Sequence, residues 1–251
     1  MPKFFVESDS IKQNNINIGG KDVNHIKNVL RKKIDDEIII CDALKSKDYL
    51  CKISEFDEDK IICRIEEELE TEVESNINVT IFQGLPKSDK MELIIQKSVE
   101  LGVVEITPVE MKRCVVKLNE KEKSKKIERW QKISEVAAKQ CGRSIIPQIN
   151  NIISVQDICN LCDKYDIVLV AYENEKENTL KQEINKIKKQ LETTKKEIKI
   201  AILIGPEGGI DIVEIEKLKS AGAKIITLGK RILRTETVAL NILSIIMYEL
   251  E

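Results

Sequence analysis

The sequence predicts an α/β protein in which helices flank a parallel sheet and a small all-β domain comes first. Three observations lead there. In the last fifth of the chain two apolar runs each end in a glycine-bearing turn and feed a helix, which sets the carboxyl ends of two parallel strands side by side. From residue 79 onward strand-like and helix-like segments alternate, the pattern of a parallel sheet. Before residue 66 short strand-like segments recur at close intervals, as in a small barrel.

The first segment supports strands over residues 3–7 and 16–18, and then a helix over 22–30 with Val23, Ile26, Val29 and Leu30 at helical spacing. Strands over 37–41, 49–56 and 60–65 follow, separated by polar turns. The acidic run 66–76 has almost no apolar periodicity and reads as a linker. The boundary therefore falls near residue 73, giving domains 1–73 and 74–251. In the second domain a strand over 79–83 turns through 84–90 into a helix over 91–101, which Gly102 ends. A strand over 105–109 and a long charged helix over 119–141 come next, with Trp130 packed toward the sheet. Extended chain over 145–153 surrounds Pro147, Ser154 caps a helix reaching 162, and 167–171 is a buried strand before a lysine-rich helix over 178–196.

Ile200-Ala201-Ile202-Leu203-Ile204 leaves no face for water and reads as a fully buried strand. Gly205-Pro206-Glu207-Gly208-Gly209 stops it, since Pro206 withdraws a donor and the glycines let a ligand approach bare backbone. Asp211 caps a helix through 218, and Gly222 ends it. A strand over 224–228 enters the loop 229–237, and a helix over 238–250 closes the chain, with Thr235 or Thr237 as its N-cap. Neither turn matches the phosphate loop or the dinucleotide fingerprint, which disfavours a dehydrogenase. Bare amides without a phosphate grip suit a nucleoside-type ligand.

Aromatics make up 4% of the 251 residues, so the core is aliphatic. Charged residues nearly cancel to a formal charge of −2, so RNA binding would require cations gathered on one face. Seven scattered cysteines point to reduced thiols. Cys159 and Cys162 have CxxC spacing without a second ligand pair, and the only histidine, His25, is far away in sequence, so no metal site is expected. The polar start and the lack of any apolar run near ~20 residues predict a soluble, cytoplasmic protein with no membrane segment.

Leu203-Ile204-Gly205-Pro206-Glu207-Gly208-Gly209, followed by Leu228-Gly229-x-Arg231-Ile232-Leu233-Arg234-Thr235-Glu236-Thr237, resembles the RsmE family of the SPOUT superfamily, the 16S ribosomal RNA (uracil-N3)-methyltransferases. The start Met1-Pro2-Lys3-Phe4-Phe5-Val6 and the stretch from His25 to Val29-Leu30-Arg31 are similar to that family too. The resemblance spans nearly the whole chain. It implies a PUA-like RNA-binding domain, a SPOUT domain with a C-terminal trefoil knot holding S-adenosylmethionine, and a homodimer acting on 16S rRNA of the small subunit. Spacing alone predicts an unknotted doubly wound sheet. Lys32-Lys33-Ile34-Asp35-Asp36 departs from the family, where a glycine is usual before the aspartate, and Val238 stands where a smaller residue is common.

By resemblance the cofactor site comprises Ala171, Tyr172, Leu203, Ile204, Gly205, Pro206, Glu207, Gly208, Gly209, Leu228, Gly229, Ile232, Leu233, Arg234 and Thr235. RNA contacts fall on His25, Arg31, Lys87, Lys90, Arg113 and Arg143, with Gln140 one helical turn before Arg143. Taken singly, each glycine is an ordinary turn and each cation a solvated charge. Methylation of uridine N3 removes a proton from a weakly acidic imide. A carboxylate can accept it or orient a water that does, and an arginine can stabilise the developing anion. Glu236 and Arg234 are the candidates for those roles; the structural alternative is a helix-start carboxylate paired with Arg234. Two other functions stay open: an RNA-binding protein with a degenerate cofactor site, and a methyltransferase acting on another RNA.

Overall fold

The computed structural model describes residues 3–70, 73–194 and 197–251. Met1 and Pro2 of the start motif, Thr71 and Glu72 of the acidic run, and Lys195 and Lys196 at the end of the lysine-rich helix lie outside the described residues. The chain divides into two compact units, Met1–Glu74 with Ala138–Ile146, and Ser75–Ala137 with Pro147–Glu251.

The first unit is a six-stranded sheet, β1 (Lys3–Val6), β2 (Ile11–Lys12), β3 (Asn15–Gly19), β4 (Glu37–Asp42), β5 (Lys47–Phe56) and β6 (Lys60–Leu69), ordered β1-β4-β5-β6-β3-β2. β1 runs parallel to β4 and the other ladders are antiparallel. No ladder joins β1 to β2 among the described residues. Alternate residues of each strand enter one aliphatic core containing Phe4, Ile16, Ile18, Ile38, Ile40, Ile53 and Ile61. Two stretches differ from expectation. β6 carries the acidic residues Glu67 and Glu68 into its ladder with β5, past a register shift at Glu66, because all three are exposed and Glu68 pairs with Lys47. The expected helix is only α1 (Lys21–Asn24), continued by a π-turn over His25–Val29 that leaves Val29 62% exposed. Asp35, at the position where the family carries glycine, has φ +69°, a conformation glycine adopts without strain.

Ala138–Ile146 joins this unit through buried ionic contacts. Lys3 Nζ donates to Asp48 at 2.5 Å and to the carbonyls of Gly142 (2.8 Å) and Arg143 (3.2 Å). Arg143 is 5% exposed, its guanidinium 2.6 Å from Glu74. Burial and neighbouring Asp48 push the Cys41 thiol far up, and burial pushes Cys63 to about 12.

The second unit holds a wholly parallel sheet. Its strands are β7 (Ile77–Gly84), β8 (Glu105–Glu110), β9 (Gln148–Ile149), β10 (Ile153–Ser154), β11 (Ile167–Ala171), β12 (Ile198–Ile204) and β13 (Lys224–Ile226). The order is β10-β8-β7-β12-β11-β13, with β9 also on β8. The helices are α2 (Lys90–Glu100), α3 (Glu120–Cys141), α4 (Val155–Leu161), α5 (Leu180–Thr194), α6 (Ile212–Ser220) and α7 (Thr235–Leu250). β12 is central, and Ile200 through Ile204 are at most 1% exposed, as an uninterrupted apolar run requires. Trp130 is buried at 3% exposure. Asp211 caps α6 in a reciprocal box with Glu214. Register aligns Gln83, Ile204, Ala171 and Ile226 across four strands, so their carboxyl ends form one edge.

Candidate active site

That edge carries a cavity of about 570 Å³, walled by the turn after β12, the loop after β11 and the long loop between β13 and α7. Its lining includes Ala171, Tyr172, Ile204, the whole 205–209 turn, Leu228, Gly229, Ile232, Leu233, Arg234 and Thr235. Leu203 alone among the expected cofactor residues does not line it. It is fully buried, and the alternation of a strand sends its side chain to the face opposite that of Ile204.

The turn is fixed from four directions. The Thr235 hydroxyl donates to the Gly205 carbonyl at 2.7 Å, and Gln83 Nε2 donates to Thr235 Oγ1 at 2.8 Å. This sets aside the expected capping role: α7 starts at Thr235 with Arg234 as its N-cap residue, because the hydroxyl is used on the turn. Glu207 accepts the Lys87 amide at 3.1 Å and lies 2.9 Å from Lys90 Nζ. Burial opposes ionisation of Glu207, but Lys90 and these donors bring its carboxyl below the usual range. Gly208 O accepts from Arg113 at 3.2 Å, while Arg113 and Lys112 both pair with Asp211. Gly209 has φ +70°, which favours glycine, and lies under the carboxylate of Glu173.

The second loop presents Ile232 at 86% exposure and the half-buried Leu233. Arg234 is exposed at the cavity wall and makes no ion pair among the described residues. Glu236, in the first turn of α7, keeps its side chain 15% exposed and lies 3.5 Å from Lys90, which replaces Arg234 as its cationic neighbour. Its Oε2 is buried and has no hydrogen-bond donor. Val238 also lines the cavity, so the departure from a smaller residue affects the wall of the site.

The expected RNA contacts are dispersed. His25 is exposed and stands edge-on to Phe4, and Arg31 is exposed with φ +53°. Lys87 is exposed beside the turn, whereas Lys90 and Arg113 are engaged with it. Arg143 is corrected outright, because its burial on Glu74 leaves no free guanidinium to meet a phosphate. Glu173, Ile210, Thr227 and Lys230 also line the cavity but are absent from the sequence-based set. A signal existed for Gln83, a lone amide at the end of an apolar strand; Glu173 carried none beyond following Tyr172. Cys159 and Cys162 sit together on α4 and its continuation, and burial raises both thiols. No cluster suited to a metal ion occurs among the described residues, and no helix among them is long and apolar enough to cross a membrane.

Residues 73–247 match the model of an RNA methyltransferase domain, and residues 18–66 that of an RNA methyltransferase PUA domain. The chain is 37% identical to ribosomal RNA small subunit methyltransferase E of Bacillus subtilis, covering 100% of this chain and 98% of that one. It is 35% identical to the protein of that name from Mesomycoplasma hyopneumoniae, covering 97% and 98%. Among solved structures, ribosomal RNA small subunit methyltransferase E from Neisseria gonorrhoeae bound to S-adenosyl methionine superposes with a TM-score of 0.83 at 29% identity, covering 99% of this chain and 97% of that one.

Proposed function

The chain belongs to the ribosomal RNA small subunit methyltransferase E family, and from that premise we propose that it methylates N3 of a uridine in 16S rRNA using S-adenosylmethionine. The observation that carries this reading is the cavity formed where two glycine-bearing loops meet at the carboxyl edge of a parallel sheet. A volume of about 570 Å³ falls within the range of small-molecule sites. The turn offers amides that no Cβ obstructs, while Ile204, Leu228 and Leu233 supply apolar wall for a purine. S-adenosylmethionine, when bound, supplies an electrophilic methyl group on a sulfonium sulfur.

The protein's own task is to handle the imide proton. Glu236 accepts it from N3 directly or through a water; its side chain keeps 15% exposure, and the Lys90 ammonium, 3.5 Å from Oε2, is its one ion-pair partner among the described residues. Arg234, free of carboxylate partners, faces the negative charge that develops on the uracil oxygens. The 205–209 turn and the loop from Leu228 to Thr235 would hold S-adenosylmethionine, whose methyl group would pass to N3 with the sulfonium leaving as a neutral thioether. The test is mass spectrometry of 16S rRNA after incubation of undermethylated small subunits with the protein and labelled cofactor. Label on a uridine N3 is expected; label on a base carbon, a ribose or another RNA would overturn the assignment.

Gly208 provides a sharper test of the turn. A Cβ there would come within 3.1 Å of the Arg113 carbonyl, so Gly208→Val displaces the turn or the loop after β8 that backs it. Cofactor affinity measured by calorimetry should fall at least tenfold, about 1.4 kcal/mol. Unchanged affinity would place the cofactor elsewhere.

The strand order β7-β12-β11-β13 accommodates the trefoil knot implied by the family, and the first unit is the proposed RNA-binding domain, with His25 and Arg31 as its exposed contacts and Lys87 as an exposed contact of the second unit. A homodimer belongs to the same reading. One face of α7 buries Ala239, Ile242, Leu243 and Ile246 inside the chain, while Leu240, Ile245 and Leu250 are only partly covered and Tyr248 is 86% exposed. A helix apolar beyond the face its own sheet covers calls for a second partner. Light scattering at micromolar concentration should give twice the chain mass, and a stable monomer would remove the dimer. Acting on ribosomal RNA, the protein would work in the cytoplasm.

A further inference from the structure

We propose that Lys90 is a positioning residue which ties the 205–209 turn to Glu236, so that the turn and the proton acceptor are set by one ammonium group. The inference rests on the reading of Glu236 as proton acceptor. Lys90 Nζ lies 2.9 Å from Glu207 Oε1 and 3.5 Å from Glu236 Oε2. The two carboxylates come from elements widely separated in sequence, the turn after β12 and the first turn of α7, and this side chain alone spans them among the described ion pairs.

Three observations distinguish this role from the phosphate contact that a surface lysine suggests. The ammonium is already shared by two carboxylates, leaving a local charge of about −1 that repels a phosphate. The side chain is 31% exposed, with its nitrogen directed toward the carboxylates and the cavity. Lys90 is also the first residue of α2, where the helix dipole disfavours a cation, so helix stability does not account for a lysine there. The hydrogen bond to Glu207 holds its ammonium above the usual lysine range, which keeps it charged at any working pH. Glu236 has no other cation within ion-pair distance among the described residues, so Lys90 is the one charged group that orients its carboxylate.

The experiment compares Lys90→Met and Lys90→Arg with the parent protein in steady-state methylation of small subunits, alongside RNA affinity across a salt series and a thermal melt. Lys90→Met should lower kcat at least tenfold, while KM for the RNA and the salt slope of binding stay within twofold. Lys90→Arg, whose longer fork still reaches both carboxylates, should recover most of kcat. A phosphate contact gives the opposite pattern: kcat intact, weaker RNA binding and a salt slope smaller by about one. That result overturns the proposal, as does a Lys90→Met protein normal in every assay. The failure of the underlying reading looks different, because Glu236→Gln would then be normal. A slow Glu236→Gln beside a normal Lys90→Met leaves Glu236 as the acceptor and removes only the positioning role.

Discussion

Glu236→Gln should lower the rate of methyl transfer by about 10²-fold or more, the typical contribution of a positioned acid-base group, with cofactor affinity little changed. Glutamine keeps the size and reach of the side chain and loses only the capacity to take a proton. The geometry makes the substitution informative, because Glu236 stands in the first turn of α7 between the cavity-lining Thr235 and Val238, with Lys90 as its one ion-pair partner among the described residues. In the variant the imide proton must leave to solvent, so the residual rate should rise in proportion to hydroxide until uridine itself is titrated. A carboxylate placed only to complement the helix dipole predicts something else, a stability loss of about 0.3–1 kcal/mol with the rate nearly intact. Arg234→Lys is the companion measurement, since lysine keeps the charge but loses the planar fork. A large defect in Arg234→Lys beside a normal Glu236→Gln would show that anion stabilisation alone carries the reaction.

How much of this could be read from the residues depends on what each segment buries. β11 lies at 167–171 as expected and β12 within two residues of its expected start, because strands covered on both faces must be continuously apolar. The loops around the cavity were likewise legible, since glycine marks where backbone takes positive φ or lies close to something else. Polar residues were read less well, because their partners lie far away in sequence. Thr235 resembles a cap in isolation, yet its hydroxyl serves the Gly205 carbonyl thirty residues upstream. Lys90 and Arg113 read as RNA contacts, or taken singly as solvated cations, yet each is drawn onto the 205–209 turn. Arg143 follows a long charged helix and shows no apolar neighbour pattern of its own, so its burial on Glu74 had no local signature. The same applies to Ala138–Ile146 as a whole: the periodicity of α3 continues through Cys141 without marking where its tail enters the first unit.

That tail supports the second large effect. Asp48→Ala should destabilise the first unit by about 3–5 kcal/mol, the usual result of removing one partner of a buried ion pair. Lys3 and Asp48 side chains are 8% and 3% exposed, so the ammonium left behind cannot recover its hydration in place. The carbonyls of Gly142 and Arg143 and the Ser144 hydroxyl would still accept from Lys3, but none of them neutralises it. The loss should appear as accelerated hydrogen exchange in β1, β4 and β5 and in residues 138–146, because the ammonium and its carboxylate pin β1, β5 and the 138–146 tail, and β4 is paired between β1 and β5. The reverse change sets the scale: Lys3→Met combined with Asp48→Leu removes both charges and should restore much of the stability, as replacement of a buried pair by apolar side chains often does. A double-mutant cycle over the two sites isolates the coupling. If Asp48→Ala proves nearly neutral and the cycle shows no coupling, then water reaches Lys3 and the pair contributes no more than a surface bridge. Truncation at residue 73 should, on the same reasoning, leave residues 142–144 without Lys3 and Asp48, and Ala138–Ile146 without the strands it packs on. A shortened protein that binds cofactor poorly would thus report the loss of this covering as well as the loss of an RNA-binding domain.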